Sequence, residues 1–331
     1  MAWGMFLAIP NPFPKWDEAA RERMLVCLPF VGVIVGGVWA LAAWITGLIA
    51  LPRAVAALLL AALPWLTTGF IHLDGFSDVC DAMLSRRDLP ERQRILKDPH
   101  CGAFGVICLV LLILAQFAVF FSAEKTSAIH VDDPAMLMTM TGVSPDLLAK
   151  MLSKPAVGFR FGLIPRPRLA FLISIGLIPV AVRACAGLAV LSLRPMKTSQ
   201  YSALGAAEAE TAEPPELKTE GVADLSYRGK KKAKDEAAET DENAELGSEK
   251  RLLRRTKRVH ILALSLILAA AVIAPAVLFG TLGLAPAAAA LGYWLFAFIG
   301  YRNLGGMNGD ISGFALTLGE LIGAAVLIFV R

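Results

Sequence analysis

Charge is scarce in this chain: Asp, Glu, Lys and Arg make up 18% of its 331 residues while 56% are hydrophobic, and mean hydropathy stands at +0.61. An ordinary soluble domain carries roughly a quarter of its residues as charges, so this composition excludes one and leaves a polytopic membrane protein. The formal net charge is only +4. Its basic residues fall in separate loops between apolar runs, which argues against a nucleic-acid partner. Cys27, Cys80, Cys101, Cys108 and Cys185 form no CxxC pair and lie mostly in or beside apolar segments, so they read as small core residues and not as ligands. Residues 1 to 23 lack the charged start and apolar centre of a cleaved signal peptide. Pro10, Pro12 and Pro14 interrupt them, and they read as an interfacial segment carrying Lys15, Arg21 and Arg23. No inverted repeat is visible, which counts against an ion-coupled transporter.

What is present is a series of apolar runs of membrane-spanning length. They cover residues 24 to 50, 54 to 73, 103 to 121, 169 to 193, 261 to 282, 286 to 300 and 312 to 330, and the expected fold class is an all-α polytopic membrane bundle of about seven spans. Arg183 and Glu320 lie within spans, where an ionised group must face the protein interior or a polar cavity. The loop at residues 82 to 101 holds Arg86, Arg87, Arg92, Arg94 and Lys97 and is cytoplasmic by the positive-inside rule, with Pro90 placed to start a short helix. Residues 122 to 167 are moderately polar and include a possible amphipathic helix at 135 to 152. Residues 195 to 258 are dominated by Glu, Asp, Lys and Ala; they cannot bury a core and read as a disordered or loosely helical cytoplasmic insert. The basic ends of that insert suit a membrane surface. The chain therefore divides into a first bundle part at 1 to 194, the charged insert at 195 to 258, and a last bundle part at 259 to 331.

The organising stretch runs from residue 67 to 105, TTGFIHLDGFSDVCDAMLSRRDLPERQRILKDPHCGAFG. At about 100° per helical residue, Asp74, Asp78 and Asp81 fall within roughly a 60° arc. Carboxylates so placed either share a proton or hold divalent cations, and magnesium is commonly held by one or two carboxylates together with substrate phosphates; a solvated acidic helix end is the alternative. Gly69 and Gly75 are expected to interrupt the helix. His72 points about 160° away from Asp74 on an unbroken helix, which makes it a packed or supporting histidine before a catalytic one. A second polar turn, YRNLGGMNGD at residues 301 to 310, sets Gly305, Gly306 and Gly309 around Asn308 and Asp310. Glycines there allow backbone N–H groups to approach a phosphate, and the two polar side chains offer oxygens to a metal or a hydroxyl; a plain interhelical turn is the alternative. Seven spans return this turn and the acidic stripe to one side of the membrane.

The strings HLDGFSDVCDA (72 to 82), RILKDPHCGAFG (94 to 105) and LGGMNGDISGFALTLGEL (304 to 321), with a weaker match at FLAIPNP (6 to 12), resemble the cobalamin synthase family, membrane enzymes with adenosylcobinamide-GDP ribazoletransferase activity. The chain departs from the family's usual residues at Leu7, Ala8, Pro99, Asn308 and Thr317. The resemblance implies transfer of a cobinamide-phosphoryl group from adenosylcobinamide-GDP to α-ribazole or its 5′-phosphate, with release of GMP. It implies Mg2+ held by Asp74, Asp78, Asp81 and Asp310, with Asp98 as a supporting group or base. His72, Arg94, Lys97, Gly305, Gly306 and Asn308 are the implied substrate contacts, although loop cations such as Arg94 and Lys97 are also expected as topology signals. The implied setting is the cell inner membrane with the site facing the cytoplasm, and the partners it allows are the lipid bilayer, other cobalamin-assembly enzymes and a second copy of the chain. A CDP-alcohol phosphotransferase or a membrane prenyltransferase shares the paired-aspartate chemistry, but neither accounts for the LGGMNGD and KDPHCGAFG strings.

Overall fold

A computed structural model of the chain describes residues 1–11, 21–49, 51–123, 166–196 and 229–330. Among these residues the regular structure is helical, with an isolated backbone bridge between Pro195 and Met307. A short helix α1 (Ala2–Phe6) is followed by α2 (Arg21–Val26), α3 (Leu28–Thr46), α4 (Arg53–Thr67), α5 (Ile71–Leu84), α6 (Leu89–Ile95) and α7 (Ala103–Phe121). Then come α8 (Arg166–Ser192), α9 (Gly229–Phe279), α10 (Ala285–Leu304) and α11 (Gly309–Phe329). The amphipathic helix expected at 135 to 152 lies outside the described residues. Large apolar side chains such as Leu111, Leu266, Val277, Leu291 and Phe298 stay exposed on the outer faces. So much outward apolar surface suits lipid, and the chain is a multi-pass membrane protein.

Among the described residues five helical runs are long and apolar enough to cross a membrane, and a sixth arises if α4 and α5 form one broken span. The run Arg254–Leu304, counted once among the five, turns back on itself. A β-carbon on Gly187 of α8 would come 2.9 Å from Leu264, while Ala271 packs with Val180 and Ala181, so α9 runs antiparallel to α8. Gly319 and Gly323 of α11 lie beside Val182 and Ile178 of α8 and beside Ala289 and Ala285 of α10, which makes α11 antiparallel to both. Hence α9 and α10 run in opposite directions. The reversal sits at the 3-10 turn Gly280–Leu284, where Gly280 takes a left-handed φ of 59° and Gly283 presses on the Pro275 carbonyl. With it, seven apolar segments are accounted for.

Small residues hold these helices together, as is usual where lipid removes the hydrophobic drive between them. Gly32 and Gly36 on α3 meet the backbone of Pro179 and Gly176 on α8. Gly319 and Gly323 repeat that four-residue spacing against Ala285 and Ala289. Two expectations about element bounds change. The second apolar run is not one helix to residue 73: it breaks after Thr67, and α5 leaves at 91° to α4. Gly69 and Phe70 both take left-handed φ, 61° and 63°, and the Thr67 carbonyl accepts the Ala8 N–H at 2.9 Å, tying the amino-terminal segment to the break. Gly75, in contrast, lies within α5 and does not interrupt it. Of the two conformations expected for the insert, residues 229 to 258 have the helical one as the first part of α9, in keeping with the helix propensity of Ala, Glu and Lys. Pro195 and Met196 belong with the bundle: the Met196 N–H donates to the Met307 carbonyl at 2.9 Å.

Candidate active site

The three strings that stand apart in the sequence meet at one end of the bundle. Asp81 joins the first two. It is 8% exposed, and its carboxylate accepts the N–H groups of Gly102 at 2.7 Å and Gly105 at 2.9 Å, the first donors of α7. A helix leaves these N–H groups unpaired and partly positive, and a carboxylate is their natural partner. A β-carbon on either glycine would collide with the Asp81 carboxylate, which is why the string reads CGAFG. At the far end of α7, Arg53 Nε donates to the Phe121 carbonyl at 2.7 Å. Asp81, expected among the metal ligands, therefore has both oxygens engaged in holding α7.

Glycines also join the first string to the third. A β-carbon on Gly75 would come 2.9 Å from the Asp310 Cα, and one on Gly313 would come 3.3 Å from the His72 Cα. Phe76 and Phe314 stack beside them with ring centroids 5.5 Å apart. This reciprocal contact sets the first turn of α11 against the middle of α5, and Asp310 sits between the levels of Asp74 and Asp78. Asp74, Asp310 and Asp81 all act electrostatically on Asp78. Asn308 caps α11: its Oδ1 accepts the Ile311 N–H at 2.9 Å, and its Nδ2 donates to Asp310 Oδ2 at 2.7 Å.

Behind this contact lies a cavity of about 310 Å3 lined by Phe6, His72, Lys97, Arg183, Asn308 and Asp310, among others. Phe6 and His72 lie parallel, 8° between planes and 6.5 Å between centroids. Asp74 opens onto a separate recess with Thr68, Gly69 and Phe70. Deeper in the bundle Arg183 Nη1 donates to Glu320 Oε1 at 2.8 Å, with both side chains 2% exposed, so the two intramembrane charges face inward and pair with each other.

Other expected site residues are employed differently. Gly305 takes φ 75° and ends α10, its N–H donating to the Tyr301 carbonyl. A β-carbon on Gly306 would come 2.7 Å from the Met196 Cα. Neither glycine lines the cavity, whereas Gly309 does. Arg94 forms an exposed pair with Glu91 at 2.7 Å, which holds Glu91 below the usual carboxylate range through the guanidinium hydrogen bond. Asp98 accepts both the backbone N–H of His100 at 3.0 Å and its ring Nδ1 at 2.7 Å, and these bonds likewise lower its pKa. Residues that sequence reasoning left out of the site are Arg183, Phe6 and Ser312, all lining the cavity. An arginine inside an apolar run was the available signal for the first; Phe6 and Ser312 lie within the strings FLAIPNP and LGGMNGDISGFALTLGEL, which mark their neighbourhood but not these two side chains.

Among the described residues no three His, Cys, Asp or Glu side chains form a ready metal cage. Magnesium needs less than that, since one or two carboxylates suffice when substrate phosphates and water complete the shell. Asp78 with Asp74 or Asp310 supplies such a donor set. The fold and site thus define a class: an all-helical integral membrane protein whose acidic α5 stripe meets Asp310, itself in the wall of a partly open cavity at one end of the bundle. A family model described as cobalamin-5-phosphate synthase matches residues 1–158 and 237–328, and the chain belongs to that family. It is 44% identical over 122 residues to an adenosylcobinamide-GDP ribazoletransferase of Clostridium perfringens, covering 37% of this chain and 49% of that one. A Clostridium botulinum protein of the same name is 39% identical over 149 residues, 45% of this chain and 58% of that one. One from Geobacillus kaustophilus is 34% identical over 163 residues, 47% of this chain and 60% of that one. The chain thus spans about half to three-fifths of the length of these relatives. No solved structure matches it.

Proposed function

We propose that the chain is an adenosylcobinamide-GDP ribazoletransferase, joining adenosylcobinamide-GDP to α-ribazole or its 5′-phosphate and releasing GMP. The observation that carries this reading is the contact of Gly75 with the Asp310 backbone, which brings carboxylates from two distant strings together. A ribose hydroxyl attacks the phosphorus that bears the cobinamide, the bond from that phosphorus to the GMP oxygen breaks, and the hydroxyl proton passes to a carboxylate. Such a transfer depends on positioning and on neutralising charge. Asp74, Asp78 and Asp310 would hold Mg2+, whose contribution when bound is to offset charge on the diphosphate oxygens. Lys97, at the cavity wall, would meet phosphate oxygens, and Asn308 fixes the Asp310 carboxylate through its 2.7 Å hydrogen bond. The basic loop around Arg86, Arg87, Arg92 and Arg94 supports a cytoplasmic site in the cell membrane.

The test uses purified full-length protein in lipid nanodiscs. GMP release is expected only with both substrates and Mg2+ present, and to cease with EDTA. No release with both substrates at saturating Mg2+ would overturn the reading.

A further inference from the structure

The cavity wall carries two aromatic rings that the transfer chemistry leaves unused. Phe6 ends α1 and His72 lies in the first turn of α5, yet their rings are parallel within 8°, with centroids 6.5 Å apart. Both residues line the cavity and both stay part-exposed. At that separation parallel rings do not cover one another, so neither ring is used up by the other.

The pair is held from both sides. Leu7 packs with Val31 and Val35 of α3, the Ala8 N–H donates to the Thr67 carbonyl at 2.9 Å, and the Trp3 indole donates to the Ile9 carbonyl at 3.0 Å; together these fix the backbone on either side of Phe6. Opposite, Gly313 lies so close that a β-carbon there would come 3.2 Å from the His72 carbonyl oxygen. Neither backbone is free to shift, and a flat ligand meets faces already in place, which lowers the cost of ordering them.

Shape and polarity decide what fits. A planar ring laid parallel to both side chains meets two π-faces at once, the way in which aromatic side chains hold bases of any sequence. The volume, about 310 Å3, lies at the small end of ligand sites, which span roughly 300–1,000 Å3; it suits a nucleoside-sized group and excludes a macrocycle. An acyl chain fits poorly for a different reason. The His72 ring nitrogens make no hydrogen bond among the described residues and are not sealed off, so a purely apolar ligand would strip their water and return nothing. A nucleoside carries sugar hydroxyls at the edge of its base, and these can take the place of that water.

We propose that Phe6 and His72 form a stacking site for the flat heterocyclic base of a nucleoside substrate, with its sugar directed toward Asp310 and Lys97 in the same cavity wall. The assignment rests on the transfer reaction proposed above, which offers two such bases: the benzimidazole of α-ribazole and the guanine of the GDP end of the other substrate. His72 points about 160° away from Asp74 on α5, so a base stacked there lies clear of the Asp74 carboxylate.

The experiment measures calorimetric binding of α-ribazole, GMP and ribose 5-phosphate to the full-length protein in nanodiscs, for wild type, Phe6→Leu and Phe6→Tyr. Leucine keeps apolar bulk and removes the π-face, while tyrosine restores the face. Phe6→Leu is expected to bind α-ribazole or GMP about two- to tenfold more weakly, with Phe6→Tyr close to wild type, and the nucleoside that responds identifies the base. Ribose 5-phosphate has no base and should be indifferent to the substitution. The proposal is overturned if Phe6→Leu binds both nucleosides as wild type does, if ribose 5-phosphate shares the loss, or if wild type binds neither nucleoside. Should Phe6→Leu not fold, equal binding of α-ribazole and GMP by wild type and a folded His72→Leu variant overturns it instead. GMP release by wild type, followed in parallel, separates the two readings. Release without a Phe6 effect sinks the stacking site only, and a Phe6 effect without release sinks the transfer reaction only.

Discussion

The carboxylate of Asp81 accepts the backbone N–H of Gly105 at 2.9 Å, across twenty-four residues of chain, and so fastens the end of α5 to the start of α7. This gives the last aspartate of the acidic stripe a different task from the first two. Asp74 and Asp78 face the region that Asp310 completes, while Asp81 holds the helix against which α5 is built.

Asp81→Ala should therefore destabilise the protein by about 1–2 kcal/mol, the usual cost of losing a helix cap, with more added by the two buried N–H groups left unpaired. Thermal unfolding in detergent checks this. An unchanged midpoint would show that α7 does not depend on the cap.

Asp78→Asn, Asp74→Asn and Asp310→Asn remove charge from a cluster of like charges, so each should leave thermal stability unchanged or slightly raised. Turnover at saturating Mg2+ should fall by about 10²-fold or more for Asp78 and Asp310, the scale on which losing a single charge-stabilising group acts. The measurement pairs GMP release with the unfolding midpoint. Substantial activity in either variant removes that residue from the site.

Gly75→Ala inserts a β-carbon 2.9 Å from the Asp310 Cα, a backbone atom that cannot move aside without displacing α11. It should lower turnover sharply and cost about 1–3 kcal/mol, the range for overpacking. Gly37→Ala is the control: on α3, a β-carbon there meets nothing within 4 Å, and stability should change by less than about 0.5 kcal/mol. Equal effects at the two positions would mean that the α5 to α11 contact does not set the site.

Replacing residues 206 to 248 with a short Gly/Ser linker, while keeping the basic run at 250 to 258, should preserve membrane insertion and turnover, because a segment of that composition cannot bury a core. Loss of GMP release in a shortened protein that still inserts and elutes as a single species would give the segment a functional part.

The sequence by itself determined the class of fold and the face on which its aspartates fall. Apolar runs of membrane length are readable because lipid must be met by apolar side chains along a whole span, and Arg183 and Glu320 had to face inward because an ionised group in lipid is costly. The acidic stripe was legible because carboxylates at helical spacing share a face. Only the tertiary structure decided that Arg183 and Glu320 pair with each other, that Asp81 serves α7, and that Gly75 is a contact point and not a break. The physical reason is common to all three. Each is a meeting between helices far apart in the chain, fixed by where glycines let backbones approach, and a single helix's pattern records which face is buried but not what it is buried against.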